Sequence, residues 1–497
     1  MSIRRSAGIL LHVTSLPGPY GVGTFGTSAI RFVEALAHAG VRYWQVLPLG
    51  HPEASDSPYQ CFSAFAGNPI LIDPDVLAAT GLVTSMEAED CRIDADPRTA
   101  TFGGAADGRA SLLRKACSRM DGETRAKVDA FAADQSDWVQ DYALFMAIRE
   151  HFGGLQWWVW PDEGLRRHEA GALESFAAEH ADDCFYHLFV QYEFSRQWTA
   201  LKTRANGLGV LLFGDMPIYV ARNSADVWGH TALFEMDEQL APLRVAGVPP
   251  DYFATDGQLW GNPLYDWEAA ARDGYTWWLS RIGHDLRQFD AVRIDHFRGF
   301  EAYWAVDAEE TTARDGTWVD GPGMALFSRV AALFREARII AEDLGLLTER
   351  TRAFLEETGY PGMRVMQFGF DGNPVNEHLP HMYPHNCVAY IGTHDNDTLS
   401  GWLAQEESDT VRLSAQYCRA PEGPMSRVCA AWIQTLWASV ADLAVATPQD
   451  LLALDGTRRM NVPGTATGNW SFRLTQEEMD TISWDAVRDL NTLYGRL

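Results

Sequence analysis

Short apolar runs alternate with longer segments of helical periodicity along most of this 497-residue chain. A short run that is apolar almost throughout is typical of a strand buried on both faces of a parallel sheet. The segments between the later runs, at 324–338 and 348–357 for example, have the apolar spacing of helices. The eight runs that we predict to be strands are 8–13, 43–49, 210–215, 291–295, 339–343, 365–370, 388–393 and 443–447.

Eight strand–helix units in one chain predict an α/β fold, a TIM-type (β/α)8 barrel, with inserted, mainly helical subdomains and no separate C-terminal β domain. The stretch between the second and third runs is too long for one crossover, and it contains helical patterns at 105–120, 137–151 and 183–203. The predicted division is 1–69 for the first part of the barrel, 70–205 for a helical insertion subdomain and 206–497 for the rest of the barrel, with a smaller insertion at about 222–275.

The charge of the chain excludes some classes of partner. Forty Lys and Arg residues stand against 67 Asp and Glu residues, which gives a formal net charge of −27. Nucleic acids and anionic membranes attract basic surfaces, so we predict neither as a partner. The seven cysteines are scattered and never spaced C-x-x-C, and the first residues lack the pattern of a signal peptide. These features predict a cytoplasmic protein.

Acidic residues follow four of the predicted strands, where barrel enzymes carry their active sites. A single Asp in such a place is usually a helix cap or a loop-ordering group, but acids at four strand ends of one barrel indicate shared chemistry. The acids are Asp215, Asp295, Glu342 with Asp343, and Asp395 with Asp397.

One of these acids has a predicted cationic neighbour. Arg293 precedes Asp295 by two residues, which places both side chains on the same face of a strand. Its charge favours an ionised Asp295, as a nucleophile requires. A nucleophilic carboxylate beside a second carboxyl that stays protonated is the arrangement of a retaining glycosidase.

Three other sequence patterns could indicate a nucleotide or metal site, but each has a feature that argues against it. Residues 21–26 match the dinucleotide-binding pattern G-x-G-x-x-G, but Pro17 and Pro19 separate them from the strand. His378, His381 and His385 are interrupted by prolines and indicate a solvated loop rather than a metal site. The acidic cluster could hold Mg²⁺ for phosphate chemistry, but the chain has no P-loop or basic phosphate cradle.

Tryptophans in Gly- and Pro-rich stretches favour a carbohydrate substrate. Trp228, Trp260, Trp402 and Trp470 have such surroundings in a chain with 18 tryptophans. An aromatic side chain in a loop offers a flat apolar face with a polar edge, which suits the C–H face of a sugar ring.

Long ordered strings of the sequence carry a resemblance to a known family. They include GILLHVTSLPG, SPYQCFSAFAGNP, PPDYFATDGQLWGNPLYDW, FDAVRIDHFRGF, YIGTHDNDT and RMNVPGTATGNW. The chain resembles the 4-alpha-glucanotransferase family (amylomaltase, or disproportionating enzyme), which is related to the alpha-amylase superfamily. The resemblance implies a retaining transfer of an α-1,4-glucan segment, between maltooligosaccharides or onto glucose, without a cofactor.

The resemblance also implies roles for individual residues. Asp295 resembles the nucleophile of the family, Glu342 its general acid/base and Asp395 its third carboxylate, which holds sugar hydroxyls. The residues that it implies for substrate binding are Tyr59, Asp215, Arg293 and His394 at the cleavage point, Tyr252, Phe253, Gln258 and Trp260 over the acceptor side, and Asn461.

Two alternatives remain at this stage: an α-glucan hydrolase of the amylase type, and a catalytically silent glucan-binding protein. A retaining mechanism predicts a separation of roughly 5–5.5 Å between the carboxyls of Asp295 and Glu342.

Overall fold

The computed structural model of the chain describes residues 3–53, 56–250, 255–345, 347–465 and 467–497. Strands and helices alternate along these residues. The strands are β1 (Ser6–Leu10), β2 (Tyr43–Gln45), β3 (Leu211–Met216), β4 (Arg244–Val248), β5 (Gln258–Pro263), β6 (Ala291–Ile294), β7 (Ala302–Asp307), β8 (Gly316–Asp320), β9 (Ile339–Ala341), β10 (Gly362–Val365), β11 (Cys387–Tyr390) and β12 (Leu443–Ala446).

The α-helices lie between and around these strands. They are α1 (Thr27–His38), α2 (Pro74–Ala78), α3 (Ser85–Glu89), α4 (Phe102–Ser118), α5 (Gly122–Asp134), α6 (Val139–His151), α7 (Glu163–Arg166), α8 (Ala170–Glu179), α9 (Ala181–Gly207), α10 (Ala225–Gly229), α11 (Trp267–Arg272), α12 (Thr276–Gln288), α13 (Met324–Leu333), α14 (Glu349–Thr358), α15 (Leu399–Gln405), α16 (Ser408–Cys418), α17 (Met425–Ala438), α18 (Pro448–Leu451), α19 (Gln476–Thr481) and α20 (Trp484–Leu493). Among the described residues, no helix is both long enough and apolar enough to span a membrane.

Eight strands form a parallel sheet in the order β10, β11, β12, β1, β2, β3, β6 and β9. At the two ends of this order, the backbone N–H of Ala341 on β9 donates to the carbonyl of Pro361, just before β10, at 2.9 Å. The sheet therefore closes into a barrel. Every residue of β1, β6, β11 and β12 is buried, because helices cover the outside and side chains fill the inside. The predicted (β/α)8 barrel is confirmed.

Helix α1 illustrates how an apolar stripe attaches a helix to the barrel. Its buried residues Ala29, Phe32, Val33 and Leu36 are spaced by three and four positions, which places them on one face. Phe32 meets Trp44 of β2 edge-on, with 5.1 Å between ring centroids. Burial of such a stripe stabilises the helix by about 25 cal/mol for each Å² of apolar area removed from water.

The chain between β2 and β3 is helical, as predicted. It contains α2 to α9, and its longest helix, α9, packs against α6 and reaches the barrel at α1 and β3. Since α9 ends at Gly207, it crosses the predicted bound between 205 and 206. The division into 1–69, 70–205 and 206–497 stays a prediction.

A small antiparallel sheet beside the barrel is not predicted from the sequence. Its strand order is β5, β4, β7, β8, so it combines residues from before and after barrel strand β6. The sheet extends to Asp320, well beyond the predicted insertion at about 222–275. It brings β5 to the edge of the barrel opening, next to the residues that follow β6.

Two predicted elements are placed differently in the structure. The sixth strand is Gly362–Val365 rather than 365–370, and a 3₁₀ turn, Met366–Gly369, follows it. Residues 366–370 are mostly apolar, and two of them, Met366 and Phe370, pack into the core from a loop rather than from a strand. Helix α13 ends at Leu333, five residues before the predicted end at 338, where polar residues interrupt the apolar spacing.

Candidate active site

Asp215 and Arg293 occupy paired positions on the neighbouring strands β3 and β6. Nη1 of Arg293 lies 2.8 Å from Oδ1 and 2.6 Å from Oδ2 of Asp215. The side chain of Asp215 is fully buried and that of Arg293 nearly so. Burial alone would lower the pKa of Arg293, but the charges of Asp215 and Asp295 raise it well above its usual value. Arg293 therefore provides a permanent positive charge at this end of the barrel.

Asp295 and Glu342 come level with each other at the carboxyl ends of β6 and β9. The residues that precede them, Ile294 and Ala341, are paired in the sheet, so both acids follow at the same height. Nη2 of Arg293 donates to Oδ1 of Asp295 at 2.7 Å, as the alternation of side chains along β6 predicts. Both acidic side chains are only partly buried and reach the opening of the barrel.

Two backbone N–H groups hold the carboxyl of Glu342. The N–H of His296 donates to Oε2 at 2.8 Å and the N–H of Leu344 donates to Oε1 at 2.7 Å. The pKa of Glu342 is raised to about 8, first by burial and then by the charge of Asp295, against the opposing charge of Arg293. The carboxyl is therefore protonated at neutral pH and can act as an acid.

Asp395 lies on the loop after β11, and a distant loop holds it. Nδ2 of Asn461 donates to Oδ1 of Asp395 at 2.7 Å, and Nη2 of Arg459 donates to its backbone carbonyl at 2.9 Å. Nε2 of His394 lies 3.4 Å from Oδ2 of Asp395. At 44% exposure, the side chain of Asp395 is more accessible than that of Asp295, at 29%. Asp395 thus presents its carboxylate to the cleft.

Tyr59 connects Asp215 with His394. Its hydroxyl lies 2.8 Å from Oδ2 of Asp215 and 2.8 Å from Nε2 of His394. Because the hydroxyl has one proton and gives it to the carboxylate, Nε2 of His394 carries a proton and donates. The rings of Tyr59 and His394 stack at 5.4 Å and 19°, and Trp470 lies tilted against both at 5.7 and 6.0 Å. These rings form an aromatic wall beside the acids.

Gln258 and Trp260, on β5, lie next to His296. The indole of Trp260 meets the imidazole of His296 edge-on, with 4.9 Å between centroids and 87° between planes. Nε1 of Trp260 donates to Oε1 of Gln258 at 3.3 Å. Tyr252 and Phe253, which the resemblance implies on the same side, lie outside the described residues. The structure thus brings ten of the twelve predicted site residues together in the described part of the chain.

Two of the acids at the strand ends turn away from the cleft. Asp343 accepts from the N–H of Met363 at 2.5 Å and from Nη1 of Arg364 at 3.1 Å. Asp397 accepts from Nε2 of Gln405 at 2.8 Å. These two carboxylates order the loops around the site and do not join the cluster.

Two of the tryptophans expected in loops belong to helices. Trp228, in α10, is 1% exposed, and its Nε1 donates to the carbonyl of Leu165 at 2.8 Å. Trp402, in α15, packs against Trp432 with 5.5 Å between centroids. Both are packing residues, which leaves Trp260 and Trp470 at the site.

Sequence analysis does not assign four residues that the structure places here. His296 follows Asp295 directly, so its position could have been considered. Trp470 stands out only as an aromatic residue in a Gly-rich segment, and Arg459 has no such signal. His12, at the end of β1, is 8% exposed, and burial and the neighbouring His394 lower its pKa to about 3. A buried histidine after a strand is more often a packing residue than part of an active site. The sequence alone therefore gives no reason to select His12.

The arrangement suits acid/base and nucleophilic chemistry. The carboxylate of Asp295 is paired with the guanidinium of Arg293, the carboxyl of Glu342 is protonated, and the carboxylate of Asp395 faces the cleft. Within the described ranges, no group of three or more His, Cys, Asp and Glu side chains is placed to hold a metal ion.

Comparison with known proteins identifies the family. A family model described as 4-alpha-glucanotransferase matches residues 11–479. The chain belongs to the 4-alpha-glucanotransferase family. The resemblance seen in the sequence is thereby confirmed.

Individual members of the 4-alpha-glucanotransferase family match over nearly their whole length. The 4-alpha-glucanotransferase of Streptococcus pneumoniae serotype 4 is 44% identical over 498 residues, which cover 99% of this chain and 98% of the relative. That of Thermus thermophilus is 45% identical over 491 residues, 96% of each chain. The solved structure of the amylomaltase from Streptococcus agalactiae in complex with acarbose has a TM-score of 0.96 at 38% identity and covers 99% of this chain and 100% of that chain.

Proposed function

We propose that this chain transfers a segment of an α-1,4-glucan to the 4-hydroxyl of an acceptor glucan or glucose by a retaining double displacement. The observation that carries the proposal is the contrast between two carboxyls at adjacent strand ends. Asp295 pairs with the permanent cation Arg293, whereas burial keeps Glu342 protonated. A retaining glycosidase needs this pair of states, a nucleophile and an acid.

In the first half-reaction, Oδ of Asp295 attacks the anomeric carbon of the donor sugar. The bond from that carbon to the glycosidic oxygen breaks, and Glu342 gives its proton to the departing oxygen. The product is a glucosyl ester of Asp295 and a shortened glucan.

In the second half-reaction, Glu342 is a carboxylate and accepts the proton of the acceptor 4-hydroxyl. The acceptor oxygen attacks the anomeric carbon, and the ester bond to Asp295 breaks. The N–H groups of His296 and Leu344 stabilise Glu342 in this charged state. One residue thus serves as acid and then as base.

The sugar at the cleavage point lies against the aromatic wall and the third carboxylate. We assign ring stacking to Tyr59, and hydroxyl binding to Asp215, His394 and Asp395. Hydroxyls that donate to a carboxylate form short and strong hydrogen bonds. Asn461 contributes through Asp395, which its amide holds at 2.7 Å.

The acceptor side decides between transfer to a sugar and transfer to water. Transfer prevails only where the acceptor binds well and water is poorly placed. We assign acceptor binding to Gln258 and Trp260, whose side chains are partly exposed beside His296. Tyr252 and Phe253 belong to the same proposal through the family resemblance alone.

The proposal also covers the substrates of this chain and its location in the cell. The substrates are maltooligosaccharides and longer α-1,4-glucans, with glucose as an acceptor, and no cofactor is required. Uncharged substrates are compatible with a net charge of −27, which disfavours nucleic acids and anionic membranes. We propose a cytoplasmic location, because all seven cysteines are free thiols, as is usual in a reducing compartment.

Incubation of the protein with maltotriose tests the proposed function. A ladder of longer maltodextrins together with glucose supports transfer. Glucose and maltose alone support the amylase-type hydrolase instead. An unchanged substrate, with a thermal shift on adding maltotriose or acarbose, supports the silent glucan-binding protein.

A further inference from the structure

We propose that Asp343 positions the acid/base Glu342, because its side chain closes the barrel at the strand end where Glu342 lies. The inference rests on the proposed function and deepens it, since it concerns how the same site holds its proton donor in place. Asp343 turns away from the cleft and binds the neighbouring strand. It acts through Glu342 and is therefore a positioning residue.

Strands β9 and β10 are the two ends of the sheet order, and the barrel closes between them. In the described part of the chain, one backbone hydrogen bond crosses this seam, from the N–H of Ala341 to the carbonyl of Pro361 at 2.9 Å. Further along β10, the N–H of Met363 donates to Oδ1 of Asp343 at 2.5 Å instead of to a backbone carbonyl. A carboxylate side chain thus continues the seam beyond the end of β9.

Both oxygens of the Asp343 carboxylate are bound. Oδ1 accepts from Met363, and Oδ2 accepts from Nη1 of Arg364 at 3.1 Å. Nη2 of Arg364 lies 3.2 Å from Oε2 of Glu377, so a second acid holds the guanidinium. Asp343 is 5% exposed and the side chain of Arg364 is 12% exposed. Water competes little for hydrogen bonds in such a place, and bonds between charged groups are strong there.

The carboxylate of Asp343 fits against β10 because the first residue of that strand is Gly362. A Cβ added to Gly362 would overlap Oδ2 of Asp343. Only a residue without a side chain permits so close an approach to the backbone. The position of the Asp343 carboxylate is therefore limited by shape as well as by hydrogen bonds.

The contacts of Asp343 fix the backbone of Glu342 on its β10 side. On the β6 side, the N–H of Glu342 donates to the carbonyl of Ile294 at 3.0 Å, and its carbonyl accepts from the N–H of Phe297 at 3.1 Å. The N–H of Leu344, which follows Asp343 directly, donates to Oε1 of Glu342 at 2.7 Å. Because the peptide between residues 343 and 344 carries this N–H, the position of Asp343 sets its direction.

The loss of Asp343 is expected to affect one chemical role and to spare another. A catalytic group has to be held within about 0.5 Å of its productive geometry by the residues that support it. Asp343 supports the proton donor, whereas the nucleophile Asp295 is held by Arg293. A variant without Asp343 should therefore donate a proton poorly and still attack the donor sugar well.

Two substitutions at position 343 remove different parts of the contact. Asp343→Ala removes both acceptor oxygens. Asp343→Asn keeps one oxygen that can accept from the N–H of Met363, but it loses the charge that pairs with Arg364. Thermal unfolding of each variant reports whether it folds, and Asp343→Asn carries the test if Asp343→Ala does not fold.

Asp73→Ala is the matched control. Asp73 is 4% exposed and also accepts from one backbone N–H, that of Val76 at 3.0 Å, and from one side chain, through Oγ1 of Thr24 at 2.5 Å. A Cβ added to Gly26 would overlap its Oδ2, as at Gly362. Asp73 lies just before α2, so its loss removes a similar set of contacts outside the active site.

The test compares two donors that differ in their need for an acid. Cleavage of maltotriose requires a proton from Glu342 on the departing sugar oxygen. α-Maltosyl fluoride releases fluoride, a stable anion that leaves without a proton, when Asp295 attacks the anomeric carbon. Steady-state kinetics give kcat and KM for maltotriose, and rapid mixing gives the rate of fluoride release in the first turnover.

We expect Asp343→Ala to lower kcat for maltotriose roughly 10- to 100-fold, as for a lost hydrogen bond to a charged group, with KM within about twofold of wild type. The rate of fluoride release should stay within about threefold of wild type, because this step needs no acid. Asp343→Asn should lose less than Asp343→Ala. Asp73→Ala should lower the unfolding temperature and change the rate with either donor by no more than about twofold.

Other results overturn the inference. If the folded variants at position 343 cleave maltotriose at the wild-type rate, Asp343 does not position Glu342. If both donors slow by the same factor, or if Asp73→Ala slows maltotriose cleavage as much, Asp343 is only structural. If the wild-type protein makes no ladder from maltotriose, the proposed function itself fails, and the role of Asp343 fails with it.

Discussion

Asp215 and Arg293 face each other across two barrel strands, with Nη1 of Arg293 at 2.8 and 2.6 Å from the carboxylate oxygens of Asp215. The same guanidinium reaches Asp295 through Nη2 at 2.7 Å. One planar cation thus fixes the position of both acids. Its two edges are used at once, which a single ammonium group cannot do.

Replacing Arg293 with Lys is expected to impair stability and activity together. A lysine has one nitrogen on a shorter side chain, so it cannot reproduce both the bonds of Nη1 to the buried Asp215 and the bond of Nη2 to Asp295. The free energy of unfolding should fall by roughly 3–5 kcal/mol, the usual effect of breaking a buried ion pair. Urea unfolding measures this, and disproportionation of maltotriose should fall at least about 100-fold, given the loss of nucleophile placement.

The matched control is Arg350→Lys. Arg350 also bridges two acids, Glu301 and Asp320, each at 2.9 Å, but its side chain is 67% exposed. Exposed pairs such as Arg350 with Asp320 contribute little to stability, and the buried Glu301 keeps its hydrogen bond from Thr351, so this variant should lose much less than Arg293→Lys. If both variants lost the same amount of unfolding free energy and activity, the specific role of Arg293 would be contradicted.

The pH dependence of donor cleavage should report Glu342. Because its pKa is raised to about 8, the acid form predominates below that pH and disappears above it. kcat/KM for maltotriose should therefore fall as the pH rises through about 8. Glu342→Gln cannot donate the proton and should lose this limb together with nearly all activity. A profile that stays flat up to pH 9.5 would argue against Glu342 as the acid.

The pH dependence of the free energy of unfolding should also report Glu342, because the pKa of this carboxyl is raised in the folded state. Between the ordinary Glu pKa of about 4.3 and the folded pKa, the native state binds a proton that the unfolded state has lost. The stability of wild type relative to Glu342→Gln is therefore full below that pH window and decreases as the pH rises through it, by at most about 1.4 kcal/mol for each pH unit. Urea unfolding of both proteins from pH 4 to 9 measures the difference. Glu422→Gln, at an exposed position, should show no such trend.

Asn461 should act through Asp395. Asn461→Ala removes the donor at 2.7 Å from the Asp395 carboxylate. Hydrogen bonds to charged groups contribute about 1.5–3 kcal/mol, so kcat/KM should fall roughly 10- to 100-fold while the protein stays folded. Kinetics on maltotriose measure the loss. Asn373→Ala, in an exposed turn, is the control, and a loss of the same size there would contradict a specific role for Asn461.

The barrel could be predicted because its strands are buried on both faces and read as plain apolar runs. The same rule misplaced the sixth strand, since Met366 and Phe370 are equally apolar but pack from a loop. The strands of the antiparallel sheet do not stand out in the sequence as apolar runs. Its strand β8 has mostly exposed residues, and its partner strands lie on both sides of β6 in the sequence.

The acids of the site could be predicted from their positions at strand ends, but not all of their directions. Asp343 was grouped with Glu342 in the sequence, but its carboxylate points away, to the N–H of Met363 and to Arg364. The contact between Asn461 and Asp395 joins residues 66 positions apart and depends on the complete fold. The left-handed backbone of His296 has no sequence signature, and its N–H donates to Glu342, 46 positions away along the chain.

The central claim is that Asp295 receives the sugar and passes it to another sugar with retention. The most direct measurement is incubation of maltotriose with isotopically labelled glucose, followed by mass spectrometry and NMR of the products, with Asp295→Asn in parallel. We predict labelled glucose at the reducing end of new α-1,4-linked chains, and none with Asp295→Asn. Label that stays in free glucose, a new bond of β configuration, or near wild-type transfer by Asp295→Asn would contradict the claim.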